Sequence, residues 1–254
     1  MIACLCTACA QAQFRFNQPI KLTEENGLPT NTTRQVKLDD NGFVWIATNE
    51  GVCRFDGQTV KTYQHDPKDS ASLIGSQVNA IASCNNEIWI GTTNGISVLD
   101  PTTQKFRHYQ ITEKGKTNSI QRNQSNGAQI FYKDKHNDLW IGTRTYGVFR
   151  YDKKTDNFIH FEPAHDIPPI FPFLGTYNNI LSIEGHISND SIIWAGSSGG
   201  LLEINKFTAR VKGYSFPQKN TDYMISMNAM RRLYHHSNGL LYAIGSFFCV
   251  AIIF

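Results

Sequence analysis

The sequence predicts an all-β fold, a β-propeller of four-stranded antiparallel blades, incomplete, with about four and a half blades present. Three observations carry that prediction. The first is a repeated segment, Trp89-Ile90-Gly91-Thr92-Thr93-Asn94-Gly95-Ile96-Ser97-Val98-Leu99-Asp100, which returns as Trp45-Ile46-Ala47-Thr48 through Phe55-Asp56. It returns again as Trp140-Ile141-Gly142-Thr143 through Tyr151-Asp152 with one added residue, and more weakly as Trp194-Ala195-Gly196-Ser197 through Ile204-Asn205. The second is the period: the tryptophans are 44, 51 and 54 residues apart, and repeats of roughly 40–55 residues with strand-turn-strand content mark radial or stacked β architectures. The third is composition. Charged residues make up 18%, aromatics 12%, glycines number 19, and long amphipathic helical stretches are absent, which suits many short strands joined by tight turns.

The N-terminus, Met1 to Ala12, is apolar and then small-residued, with two Ala-x-Ala patterns, Ala8-Cys9-Ala10 and Ala10-Gln11-Ala12. It reads as the remnant of a secretory signal over residues 1–12, lacking a basic leading region. Cys6-Thr7-Ala8-Cys9 matches C-x-x-C in form only, because a redox motif belongs beside a βαβ pattern and none is present. Without the leader only Cys53, Cys84 and Cys249 remain, and no disulfide framework follows. The net charge of +3 and the lack of any Lys/Arg run give no stripe for a nucleic-acid partner.

Residues 13–254 form the expected propeller. Phe14 to Leu22 resembles the fourth strand of a blade, as in Phe106-Arg107-His108-Tyr109-Gln110-Ile111, and reads as an orphan strand that would close a ring. The blades fall roughly at 33–64, 77–111, 128–161, 180–216 and an incomplete 228–254. In the first, Thr33 to Asp39 turns at Asp40-Asn41-Gly42 into Phe43 to Thr48, and Asn-Gly between two β-patterned runs is a hairpin signal. Val52 to Phe55 and Thr59 to Gln64 complete it. The second strand reads as nearly continuous apolar sequence because blades stack face to face, and its Trp (Trp45, Trp89, Trp140, Trp194) fills the gap between blades. Ala47, Gly91, Gly142 and Gly196 leave room for the neighbour, and Gly51, Gly95, Gly147 and Gly200 supply the turn into the third strand. These repeated residues are architectural, so function is expected where the copies differ.

The most distinctive difference is Arg144-Thr145-Tyr146, standing where other copies carry two small or polar residues. Loops between blades and turns between second and third strands share one face. Arg144 can fork to a carboxylate or sulfate and Tyr146 can stack on a sugar ring, so both are ligand-binding candidates. Ile167-Pro168-Pro169-Ile170-Phe171-Pro172-Phe173 leads back to that face and is expected to cap a blade gap. Gly196-Ser197-Ser198-Gly199-Gly200 matches G-x-S-x-G, yet it lies in a strand-to-strand turn, whereas the nucleophile elbow needs a helix after it. His235-His236 lacks a third ligand at useful spacing. His108 and His160 sit on fourth strands beside aromatics, and Asp134, Asp138 and Asp190 fall at turns. No metal, no cofactor and no catalytic pair is expected.

The repeats resemble the two-component regulator propeller family, whose pattern runs Gly-Leu-Pro-x-Asn, Asp-x-x-Gly, Leu-Trp-Ile-Gly-Thr-x-x-Gly-Leu and aromatic-Asp. Gly27-Leu28-Pro29-Thr30-Asn31, Asp39-Asp40-Asn41-Gly42 and Val44-Trp45-Ile46-Ala47-Thr48 match it in order. The resemblance implies the periplasmic sensor region of a hybrid two-component signalling protein from a polysaccharide-degrading bacterium, responsive to a small molecule or oligosaccharide. It implies, too, that further propeller, transmembrane and kinase regions follow in a longer, inner-membrane-anchored protein that can dimerise; no stretch here reaches the ~20 apolar residues of a spanning helix. The alternatives are a lyase-like or glycosidase-like propeller enzyme and a plain protein-binding scaffold. After Ile244-Gly245-Ser246 the chain reads Phe247-Phe248-Cys249-Val250-Ala251-Ile252-Ile253-Phe254, without turn Gly or aromatic-Asp. The fifth copy is therefore expected to stop at its second strand, as in a truncated or frameshifted product with an exposed, aggregation-prone face.

Overall fold

A computed structural model describes residues 20–112, 115–117, 127–162, 177–214, 229–236, 239–245 and 249–252. These form five antiparallel sheets, each a meander in chain order. The first holds β1 (Thr33–Leu38), β2 (Val44–Thr48), β3 (Gly51–Phe55) and β4 (Val60–Tyr63). The second holds β5 (Val78–Cys84), β6 (Glu87–Thr92), β7 (Ile96–Asp100) and β8 (Lys105–Thr112), with a short added strand β9 (Gly115–Thr117). The third holds β10 (Ala128–Lys133), β11 (Leu139–Thr143), β12 (Val148–Asp152) and β13 (Asn157–Phe161); the fourth, β14 (Ile180–Gly185), β15 (Ile192–Ser197), β16 (Gly200–Asn205) and β17 (Val211–Tyr214). The fifth holds β18 (Met230–His235), β19 (Leu241–Gly245) and β20 (Cys249–Ile252). Successive sheets pack face to face, the arrangement of propeller blades. Among the described residues the one helical element is a 3-10 turn, Glu24–Asn26.

The core is a series of inter-blade layers, each centred on a repeat tryptophan. Trp45, Trp89, Trp140 and Trp194 lie on β2, β6, β11 and β15 and are at most 3% exposed. Trp45 packs with Val78, Ile81 and Ile88 of the second blade; Trp89 with Phe131 and Phe149 of the third; Trp140 with Ile180 and Ile193 of the fourth; Trp194 with Met230 and Leu241 of the fifth. Each indole also meets an aromatic on its own fourth strand, Tyr63, Tyr109, Phe161 or Tyr214, at centroid distances of 5.8, 5.8, 5.0 and 6.0 Å. Close approach explains the small residue two places on: a Cβ on Gly142 would lie 2.6 Å from Ile180 Cγ2 of the next blade.

The second-to-third-strand turns are built alike. Thr48, Thr92, Thr143 and Ser197 donate their hydroxyls to the carbonyls of Gly51, Gly95, Gly147 and Gly200 at 2.8–3.1 Å. Those glycines have φ of 137°, 157°, 79° and 140°, and a Cβ on Gly51 would sit 2.4 Å from the Tyr63 carbonyl oxygen. Ser197 of the G-x-S-x-G match is thus the fourth member of a turn-locking set between β15 and β16.

Three details differ from the sequence expectation. The fifth blade does not stop at its second strand: Cys249–Ile252 pairs antiparallel with β19, from Ile244↔Cys249 to Leu241↔Ile252. The apolar run can complete a third strand because ladder pairing needs only backbone groups and an alternating face. Strand β9 extends the second blade on β8, pairing Gln110 with Thr117, and was not foreseen. Residues 20–22 are coil rather than strand, and Leu22 packs with Leu28, Ile46 and Cys53 over the outer face of the first blade. The leader 1–12, residues 14–19 of the orphan strand, the Pro-rich loop 167–173 and Phe247 and Phe248 lie outside the described residues.

Candidate functional site

Every described first strand carries a β-bulge at the same place. In β1 the ladder pairs Thr33 with Thr48 and then Gln35 with Ala47, skipping Arg34; β5, β10, β14 and β18 skip Asn79, Gln129, Leu181 and Arg231 in the same way. A bulged residue leaves the ladder and its side chain is re-aimed. Four of these residues, Arg34, Asn79, Gln129 and Leu181, line a single cavity of about 560 Å³. Gln77 and Asn179, at the entries to β5 and β14, and Thr93 and Arg144, from the β6–β7 and β11–β12 turns, complete the lining. First-strand starts and second-to-third-strand turns therefore share one face, as the sequence led us to expect for Arg144.

Among the described residues the lining holds two guanidinium groups, four amides, a hydroxyl and one leucine, with no carboxylate. Arg34 Nε donates to Asn49 Oδ1 at 2.5 Å, and Gln129 Nε2 donates to Asn179 Oδ1 at 3.3 Å. Backbone bonds fix the rim, with the N–H groups of Asn49, Thr93 and Ser198 donating to the carbonyls of Thr32, Gln77 and Asn179.

The turn bearing Arg144 is the most heavily tied. Tyr146 N–H donates to Thr143 Oγ1 at 2.9 Å, Gly147 N–H to the Asn178 carbonyl at 2.9 Å, and His160 Nε2 lies 2.5 Å from the Tyr146 carbonyl. His160 stacks on Phe149 at 4.3 Å, so its place on the fourth strand braces this turn. The two residues singled out from sequence are not brought together. Arg144 is exposed and lines the cavity, whereas the Tyr146 side chain is 8% exposed and packs within the layer between the second and third blades. The stacking role expected for Tyr146 is corrected: its ring is anchored in the core because the longer turn folds it inward over the blade gap. Sequence reasoning missed Arg34, Asn79 and Gln129. Their signal is a polar residue directly after the first residue of four of the five first strands, the fourth blade carrying Leu181 instead, where strict alternation would not mark it.

A second, smaller cavity of about 210 Å³ lies toward the opposite hairpins, lined by Tyr132, Glu184, His186, His235 and the buried pair Lys206–Asp134 among others. Lys206 Nζ is 3.1 Å from Asp134 Oδ2, and both side chains are about 95% buried. Asp134 also accepts from Trp140 Nε1 at 3.3 Å and from the N–H groups of His136 and Asp138. Burial pushes its pKa up, but these donors outweigh it and hold the carboxyl below its ordinary range. Asp39 is its counterpart in the first blade, accepting from Trp45 Nε1 at 2.7 Å and from Asn41 and Phe43 N–H. Burial raises Glu184 and lowers His186 and His235. Among the described residues no group of three His, Cys, Asp or Glu side chains converges to hold a metal, and no helix is long and apolar enough to cross a membrane.

Blades, bulges and a polar axial cavity lined by first-strand starts and turns define a β-propeller. No family model matches the chain. It is similar to histidine kinase P4 of Formosa agariphila, 29% identical over 190 residues that make up 73% of this chain and 13% of that protein. Its fold is that of the extracellular domain of a hybrid two component system from B. thetaiotaomicron (TM-score 0.71, 24% identity, 92% of this chain and 30% of that one). It also shares its fold with a virginiamycin B lyase of Staphylococcus aureus (TM-score 0.57, 15% identity, 85% of this chain and 64% of that one). The chain thus spans about an eighth of the kinase and under a third of the extracellular domain it resembles. The family resemblance drawn from the repeats agrees with the first two of these relatives.

Proposed function

We propose that this chain is a ligand-sensing propeller from the exported part of a two-component signalling protein, and that it binds a hydroxyl-rich, sugar-like solute in the axial cavity. The observation that carries this reading is the lining itself. Amides and a hydroxyl offer donors and acceptors side by side, as a polyol needs, on loops held by a rigid scaffold. A periplasmic location, release of a leader over 1–12, a membrane-anchored kinase farther along the chain and dimerisation of that longer protein all belong to this proposal, supported by the kinase relative and the extracellular neighbour. The rival reading is a propeller lyase. It is disfavoured because, among the described residues, the axial lining offers no His or carboxylate to move a proton, which elimination chemistry requires.

The test is calorimetric titration of an oligosaccharide panel against the 254-residue chain and its Asn79→Ala and Gln129→Ala variants. Each lost amide should weaken binding by roughly fivefold to tenfold, the scale of one hydrogen bond of about 1 kcal/mol. Unchanged affinity in both variants would remove the axial cavity from the binding site.

A further inference from the structure

We infer that the smaller cavity, between the third, fourth and fifth blades, is a second ligand site, and that it takes a small primary amine whose ammonium group pairs with Glu184. The site is independent of the axial cavity and of the saccharide reading. Three blades build it: Tyr132 comes from β10, Glu184 from β14, Lys206 from the turn after β16 and His235 from the end of β18.

The charges of the lining carry the argument. Among the described residues it holds three carboxylates, Asp134, Glu184 and Asp190, against two lysines, Lys135 and Lys206. Lys206 pairs with Asp134 at 3.1 Å, and Lys135 pairs with Asp190. Glu184 is the third acid, and its company is the Tyr132 hydroxyl, which donates to it, and the Gly185 backbone. The rings of His186 and His235 stand 5.7 Å apart, and burial holds both below 6.5. At neutral pH, therefore, neither supplies the missing positive charge. Burial raises Glu184 as well, whereas the hydrogen bond to Lys135 lowers Asp190. A desolvated carboxylate in a cavity of net negative charge favours a cation. The volume of 210 Å³ equals about seven waters' share of liquid, room for an ammonium group on a short stem and too little for an oligosaccharide. Ile187, Ile192 and Ile193 give that stem an apolar wall. A primary ammonium brings three N–H donors, so it can meet the Glu184 oxygens and the Tyr132 oxygen together.

The experiment titrates the full chain at neutral pH with n-butylammonium chloride, its neutral analogue n-butanol and potassium chloride, reading heat of binding and melting temperature. Butylammonium should bind and raise the melting temperature, and the other two should do neither. Glu184→Gln should weaken butylammonium at least about tenfold, the scale of one hydrogen bond to a charged group. Tyr132→Phe, which keeps the ring and loses the hydroxyl, should weaken it roughly threefold to tenfold. Glu50→Gln, which removes an exposed acid from the first blade, should stay within about twofold of wild type. Glu184→Gln relieves a buried acid and should fold at least as stably as wild type, so binding lost there reports the site and not unfolding. Equal binding of butanol would overturn ionic recognition, and equal binding of potassium would overturn selection of an amine. Unchanged affinity in Glu184→Gln, or no binding of butylammonium at millimolar concentration, would overturn the site itself. A blocked lysine peptide carries the same ammonium group and should bind more weakly than butylammonium; tighter binding would overturn the free amine in favour of a protein's lysine. None of these outcomes bears on the axial cavity.

Discussion

Asp134 shows how one side chain can hold three structural levels together. Its two oxygens secure a hairpin turn, a core tryptophan and a lysine from the next blade. Asp134→Asn should destabilise the fold by about 3–5 kcal/mol, because Lys206 would be left buried without its counter-charge. Lys206→Met in the same background should recover much of that loss, and urea unfolding of the two variants measures it. The acid limb has a definite sign. The folded-state pKa lies below the ordinary 3.8, so the stability Asp134 contributes is present above that value and is lost as pH falls through the folded value. Glu184 has the opposite sign. Burial raises it above 4.5, so its contribution is full below 4.5 and is lost as pH rises through the folded value. Glu184→Gln should therefore melt higher than wild type at neutral pH, and the two melting curves should converge near about pH 4.

The blade is the element that the sequence displays most openly. Tryptophan, a small residue two places on, a hydroxyl next and then a turn glycine recur in four copies because each makes a contact required in every blade gap. Gly142→Ala should cost about 1–3 kcal/mol by overpacking against Ile180, while the first blade natively accepts alanine at the same place, Ala47. Thermal unfolding of the variant checks this. Other parts stayed hidden for physical reasons. The bulges belong to the pairing of two strands, so no single strand's alternation reveals Asn79 or Gln129. Tyr146 looked like a surface aromatic because a one-residue insertion does not say which way the longer turn folds. The third strand of the fifth blade was hidden because its run, Cys249-Val250-Ala251-Ile252, lacks the turn glycine used as the marker elsewhere.

At the scale of the whole molecule, the first blade presents Val36 and Leu38 at 60% and 67% exposure, and the fifth presents Tyr234 and Ile244 at 57% and 41%. Apolar residues on the faces of sheets invite association. Sedimentation should show concentration-dependent association of the chain. Val36→Lys with Leu38→Lys should suppress it without lowering the melting temperature, since neither side chain is buried; loss of melting cooperativity would mean that these residues support the fold. The shared bulge separates two kinds of inheritance. Because positions 34, 79, 129 and 181 stand outside the ladders and line one cavity, substitutions there should spare strand pairing, so the scaffold would act as a socket with four exchangeable pins. A combinatorial library randomised at those four positions should keep one melting profile while the shape and polarity of the cavity diverge from member to member.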